Sequence, residues 1–181
     1  VVDSGAAALT AESTEKVLGL MEALPYGVQR MSADIEGLVE TSVNLGITEL
    51  SAETFTLKYS VRSSVATAFR AVVDKIEFVA SCFGASSAVH SVYPAWEYVR
   101  ESAFRDEAAA IYRELFGKEL SVQAIHAGLE CGILSGKIKN LDAVSIGPDM
   151  KDIHTPEERL NIPSTKRVYD FVVKIIEHKS K

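Results

Sequence analysis

The stretch Val39-Glu-Thr-Ser-Val-Asn-Leu-Gly-Ile47 and its answering stretch Phe55-Thr-Leu-Lys-Tyr-Ser-Val61 decide the fold of the first half of the chain. Val39, Thr41, Val43, Leu45 and Ile47 fall on one side, and Glu40, Ser42 and Asn44 on the other. Phe55, Leu57, Tyr59 and Val61 alternate in the same way with Lys58, Ser60 and Arg62. A period of two places successive side chains on opposite faces of a strand. The polar run Glu49, Ser51, Ala52 and Glu53 between them is connector material. The expectation is an antiparallel pair with one covered face and one polar face.

Helical spacing flanks this pair. Val17, Leu20, Met21 and Leu24 form a stripe over residues 11–24, and Pro25 and Gly27 punctuate its end. Phe69, Val72, Val73, Ile76, Val79 and Phe83 form a longer stripe over residues 66–83, with Gly84 placed to cap it. A short strand is expected over residues 86–93. The first half therefore reads helix–strand–strand–helix–strand, a ferredoxin-like α/β sandwich lacking its first strand, as in a piece of a longer protein. Beyond Pro94 and Trp96, Ser102 can cap a helix that turns Phe104, Ala108, Ile111, Tyr112 and Leu115 inward and closes at Gly117. Then come a strand over 122–127, a turn at Gly128, a short helix from Leu129 and an apolar strand over 143–146. A last helix from Pro163 carries Val168, Phe171, Val172, Ile175 and Ile176. This second half reads as the edge of a larger α/β layered structure.

Composition sets broad limits. With 47% hydrophobic and 24% charged residues in 181, a packed core is expected. A net charge of −6 spread along the chain argues against nucleic acid as a partner. The most apolar uncharged stretch, around residues 78–92, is interrupted by Ser, Cys, Gly and His and falls short of the ~18 apolar residues of a membrane span. Cys82 and Cys131 lie far apart, and a reduced cytosolic protein is expected rather than a disulfide. The chain opens at Val1 in mid-pattern with no visible signal peptide.

Three places carry possible chemistry. His154 stands in Asp152-Ile-His-Thr-Pro-Glu-Glu-Arg159, after an apolar strand and the Gly147–Pro148 turn. Thr155 and Glu158 are spaced as a capping box with Pro156 at the first helical position. One reading is therefore a helix start with an exposed histidine beside it; the other is a zinc ligand oriented by a second group. His126-Ala-Gly-Leu-Glu-Cys-Gly132 runs from a strand through a glycine turn into a helix. Amides at such a helix start can hold a carboxylate, Gly128 admits a ligand close to the backbone, and Glu130 can bind a cationic group. The plain alternative is a tight turn with a buried histidine. Arg62 and Asn44 lie on the polar faces of the paired strands. A guanidinium there suits bidentate capture of a carboxylate, or simply belongs to a solvated face. His90 is expected to pack, His178 to lie in solvent, and Cys131 has no partners for a nucleophile's role. No His-x-Asp, His-Glu-x-x-His or strand-end Glu-Glu pair completes a metal cage.

The segments His126-Ala-Gly-Leu-Glu-Cys-Gly, Asp142-Ala-Val-Ser-Ile-Gly-Pro and His154-Thr-Pro-Glu-Glu-Arg-Leu resemble the C-terminal end of aminoacyl-histidine dipeptidases. These belong to the zinc-peptidase clan of aminoacylase and glutamate carboxypeptidase. Gly37-Leu-Val-Glu-Thr-Ser-Val-Asn-Leu-Gly, Val61-Arg-Ser-Ser and Tyr93-Pro-Ala-Trp resemble the same family, in order along the chain. The resemblance implies that residues 1–95 are the second part of a lid and dimerisation domain and residues 96–181 the return into a catalytic domain. It implies that His154 is the last zinc ligand, that Arg62 binds the C-terminal carboxylate of an Xaa-His dipeptide, and that Gly128, Glu130 and His126 line the substrate, with Asn44 a weaker candidate. The implied chemistry is hydrolysis by a water activated between two zinc ions, in a cytoplasmic homodimer. The other zinc ligands and the glutamate base of that family are absent from these residues. Two other readings stand beside it: a non-catalytic module that pairs through exposed strand edges, and a related hydrolase of N-acyl amino acids. The resemblance predicts that the purified 181-residue chain, supplied with zinc, gives no dipeptidase turnover; release of histidine from an Xaa-His dipeptide by this chain alone would refute it.

Overall fold

Three antiparallel strands, β1 (Gly27–Met31), β2 (Val39–Leu50) and β3 (Phe55–Ser63), pair in the spatial order β1-β2-β3. The expected β2–β3 pair is present, in register from Thr41↔Ser63 to Leu50↔Phe55. The structure is a computed structural model that describes residues 8–126 and 130–180. Two units are distinguished: residues 1–98 with 124–133, and residues 99–123 with 134–181.

In the first unit, α1 (Ala11–Ala23) and α2 (Ala66–Cys82) lie on either side of the strands in sequence. Thr10 caps α1 by accepting the Ser13 N–H at 3.1 Å. Val65 offers α2 no side-chain cap, and the Glu97 carboxylate accepts the Ala66 N–H instead, at 3.0 Å. Gly19 of α1 is close to Phe83: a Cβ there would stand 2.5 Å from the ring edge. The covered face of the sheet centres on Thr41 and Val43, both 1% exposed, with Val73 and Ala80 of α2 and Leu24 also buried.

The mixed helix-and-strand architecture with a small antiparallel sheet agrees with expectation, but the membership of the sheet differs. β1 is absent from the sequence reading because Pro25 and Gly27 looked like punctuation only, and four residues after Gly27 are too few to show a period. Residues 86–93 are not a strand; they are exposed, and Ser91 takes a left-handed backbone at φ 54°. Residues 122–126 and 143–146 form no strand either. An alternating sequence becomes a strand only when a neighbour takes its amides and carbonyls, and none does so among the described residues. Within β2 the expected covered face also stops early. A register shift between Leu45 and Ile47, at Gly46, breaks the alternation, and Ile47 is exposed. Glu40, assigned by period to the open face, is buried at 6% exposure because Arg30 of β1 lies against it, Nε to Oε1 3.2 Å.

The second unit is held by α3 (Ala103–Phe116) and α5 (Ile162–Lys179) and includes a two-strand ladder of β4 (Met150–Lys151) and β5 (Arg159–Leu160); α4 (Glu130–Lys137) begins in the first unit and ends in the second. Ala108, Ile111, Phe171 and Ile175 form the buried core between α3 and α5, with Phe104, Tyr112, Phe116 and Leu120 packed around them. Tyr112 meets Phe171 edge to face, ring centres 5.3 Å apart. Leu115, expected inward, is partly exposed, while Phe116 packs inward instead. Asn161 caps α5 and Gly117 closes α3 with a left-handed residue. No helix among the described residues is long and apolar enough to cross a membrane.

The start of α3 is capped twice. Ser102 accepts the Arg105 N–H at 3.0 Å, and the Asp142 carboxylate takes the Ser102 hydroxyl at 2.6 Å and the Phe104 N–H at 2.9 Å. These bonds, the one from Ser102 first, hold the Asp142 carboxyl below the ordinary aspartate range. The folded state thus binds that proton less readily than the unfolded chain. The stabilisation is complete above the unfolded aspartate value, roughly 3.9, and is lost as pH falls through the lower folded value. Asp142→Ala should cost about 1 kcal/mol at neutral pH, seen as a lower urea midpoint, and its deficit should shrink as the solution is acidified below the usual aspartate range.

Candidate functional site

The open face of the sheet gathers the first group of candidate residues. Ser42 of β2 and Arg62 of β3 are direct partners across the ladder, which brings their Cβ atoms to roughly 5 Å. Asn44 is two residues along β2, opposite Ser60, and is exposed. Residues 124–133 belong to this same unit and bring His126 to the face. His126 Nε2 lies 2.7 Å from Ser42 Oγ. Burial, and then the positive charge of Arg62, hold the His126 pKa below its ordinary value. The imidazole is accordingly neutral near pH 7. No ion-pair partner of Arg62 is found among the described residues, so its guanidinium remains available to an anion.

Nothing in the local sequence singles out Ser42. Its period-two neighbours Glu40 and Asn44 look equally polar, and only the arrival of a segment 84 residues away distinguishes it. Gly132 was likewise passed over. A Cβ at Gly132 would lie 2.7 Å from the Pro94 carbonyl oxygen and 3.4 Å from Trp96 Cβ. The glycine is what lets the first turn of α4 lie against Pro94 and Trp96. Gly128 lies outside the described residues. Glu130 is the first residue of α4 and is exposed. Cys131 and Cys82 are unbonded.

His154 belongs to the second unit. The helix start expected around it is absent: residues 152–158 are the loop of the β4–β5 hairpin. Thr155 does not cap a helix. Its N–H and hydroxyl both donate to the Asp152 carbonyl, at 3.2 and 2.7 Å, and its hydroxyl oxygen accepts the Glu157 N–H at 3.2 Å. Glu158 reaches back, and its carboxylate accepts the His154 N–H at 3.0 Å. Asp152 pairs with Arg159 across the hairpin. Box-like spacing here serves a turn because Arg159 and Leu160 pair with Met150 and Lys151. His154 and Asp152 both adopt left-handed backbone, φ 67° and 54°, a conformation that disfavours residues with a Cβ. The His154 side chain is exposed. Among the described residues no group of three or more His, Cys, Asp or Glu is placed to hold a metal ion. His154 is a single donor where a catalytic zinc takes about three, so these residues alone do not fit a zinc centre. Of the other histidines, His90 is exposed rather than packed, and His178 Nε2 lies 3.5 Å from Glu107 Oε1.

No family model matches the chain. The cytosol non-specific dipeptidase of Escherichia coli (strain K12) is 31% identical to it over 171 residues, 94% of this chain and 35% of that protein. The crystal structure of aminoacylhistidine dipeptidase from Vibrio alginolyticus superposes with a TM-score of 0.83 at 30% identity, covering 96% of this chain and 36% of that one. This chain is similar to one part of each of these dipeptidases. It spans about a third of the length of each relative, and the likeness takes in nearly all of this chain's own residues, both the sheet with its helices and the second unit.

The left-handed His154 sets a clear expectation for this chain. His154→Gly should be at least as stable as the parent chain, and His154→Ala about 1 kcal/mol less stable than His154→Gly, measured by urea denaturation. A glycine variant less stable than the alanine one would contradict this backbone assignment.

Proposed function

We propose that the chain is the C-terminal part of a zinc-dependent dipeptidase that hydrolyses Xaa-His dipeptides, β-alanyl-histidine among the candidates, as a homodimer in the cytosol. The observation that carries this reading is the joint likeness in sequence and fold to two dipeptidases along nearly the whole chain. Residues 1–95 would be the second part of the lid and residues 96–181 the return into the catalytic domain. The exposed apolar segments with Val122, Ile125 and Ile146 suit that assignment: they read as strands in the sequence and would pair with strands from the remaining two thirds of the enzyme.

In this reading Arg62 holds the C-terminal carboxylate of the dipeptide. Its guanidinium has no competing acid among the described residues, and it stands on the same sheet face as Ser42 and His126. Gly128 and Glu130 would continue the substrate wall from His126. His154 would contribute one donor to a metal centre whose other donors lie elsewhere in the full enzyme. Zinc, when bound in such a centre, polarises the scissile carbonyl and acidifies a water. The work of this chain's residues is to seat the substrate's charged end so that the peptide bond lies at a fixed distance from that centre.

In the full-length enzyme, Arg62→Ala removes a charge-assisted, potentially bidentate contact of about 2–3 kcal/mol. It should raise KM for an Xaa-His dipeptide by roughly 30–150-fold, with a smaller change for an Xaa-His amide, which lacks the carboxylate. An equal loss on both substrates would remove Arg62 from this role.

A further inference from the structure

The geometry of the open sheet face points to a carboxylate site whose occupancy is coupled to a proton, with His126 taking up one proton as the anion binds beside Arg62 and Ser42 acting as the positioning residue for the ring. This rests on the reading of Arg62 given above and adds to it a mechanism of pH control.

Three observations meet here. Ser42 Oγ holds His126 Nε2 at 2.7 Å, which fixes the ring's place on the sheet. Arg62 is the direct cross-strand partner of Ser42, so a guanidinium and an imidazole border one small area. The free site therefore disfavours a second positive charge, and burial adds to the same effect. A carboxylate between the two groups reverses the balance, because it neutralises Arg62 and attracts the imidazolium. The proton comes from solvent and ends on Nε2. In the neutral ring with its hydrogen on Nδ1, Nε2 accepts the Ser42 hydroxyl hydrogen. After uptake, Nε2–H donates to Ser42 Oγ and the hydroxyl hydrogen turns away. A serine can serve both states because it is donor and acceptor at once. An alanine can serve neither.

The other charges near the site do not supply this switch. Glu40, two residues along β2, is buried and held by Arg30 of β1 at 3.2 Å. Glu130 opens α4 four residues after His126 and is exposed. Lys58 of β3 pairs with Glu49 at 3.1 Å, further along the hairpin.

Linkage gives the sign. Anion affinity is greatest below the His126 pKa of the free site and falls as pH rises from that value to the higher pKa of the occupied site. A shift of one pKa unit on binding corresponds to about a tenfold change in affinity. The test is a titration of the 181-residue chain with acetate at constant ionic strength, followed by the ring NMR signals of His126, which are identified by their loss in His126→Gln. Saturating acetate should raise the His126 midpoint by about one unit, and acetate should bind more tightly at pH 5.5 than at pH 8, approaching a tenfold gain as the pH falls below the midpoint of the free site. His126→Gln should flatten this dependence, leaving acetate affinity at pH 5.5 close to its value at pH 8. Ser42→Ala should weaken it, and Ser42→Thr, which keeps the hydroxyl, should restore it. Acetate binding that requires Arg62 but has equal affinity at both pH values overturns the proton coupling and leaves the carboxylate reading of Arg62 intact. Absence of any Arg62-dependent acetate binding overturns both.

Discussion

The first unit depends on the β2–β3 ladder. Its buried end holds Thr41 and Val43, each 1% exposed. The same end fixes the start of α2: Thr41 Oγ1 meets Ser63 Oγ at 2.8 Å, and Ser63 Oγ accepts the Val65 N–H at 3.1 Å and donates to the Val65 carbonyl at 2.9 Å. One register therefore sets the covered face, the entry into α2 and the pairing of Ser42 with Arg62. A slip by one residue would turn every side chain of a strand to the other face. It would bury Arg62 and expose Val61, so the core enforces the geometry of the open face.

How far the sequence can be read follows from where each element finds its partners. Helices satisfy their own backbone, and α1, α2, α3 and α5 appear where stripe and cap place them, with Thr10, Ser102 and Asn161 serving as caps. The β2–β3 pair is legible because its partner is a few residues away and both strands keep the period. β1 is too short to show a period, and residues 86–93 and 143–146 show apolar patterns without a neighbour among the described residues to complete them. The candidate site divides along the same line. Arg62 stands out as a cation on an alternating strand, and His126 as part of a glycine-rich turn. Their meeting, through Ser42, is a contact between distant segments and leaves no local pattern.

The Asp152–Glu158 loop shows how one spacing can serve two structures. A Thr followed three residues later by Glu caps a helix when a helix follows. Here a strand follows, and the same two side chains tie a hairpin loop together, Thr155 to the carbonyl behind it and Glu158 to the amide of His154. The outcome is decided by Arg159 and Leu160 pairing with β4. Two residues are held in left-handed backbone as a result. Strain of this kind persists only where surrounding contacts over-determine it, and the ion pair of Asp152 with Arg159 is one such contact.

The membership of residues 124–133 in the first unit has a consequence for how the chain acquires its structure. The backbone passes from one unit to the other three times, after residues 98, 123 and 133. On a ribosome, the sheet and its two helices can assemble early, but the piece carrying His126 and Gly132 emerges only after α3 has been made. The first unit stays unfinished until then, with the ground beside Pro94 and Trp96 waiting for the backbone that Gly132 allows so close. Folding is thereby made less local, which slows it, and neither unit corresponds to an uninterrupted stretch that could be cut out and expected to fold by itself.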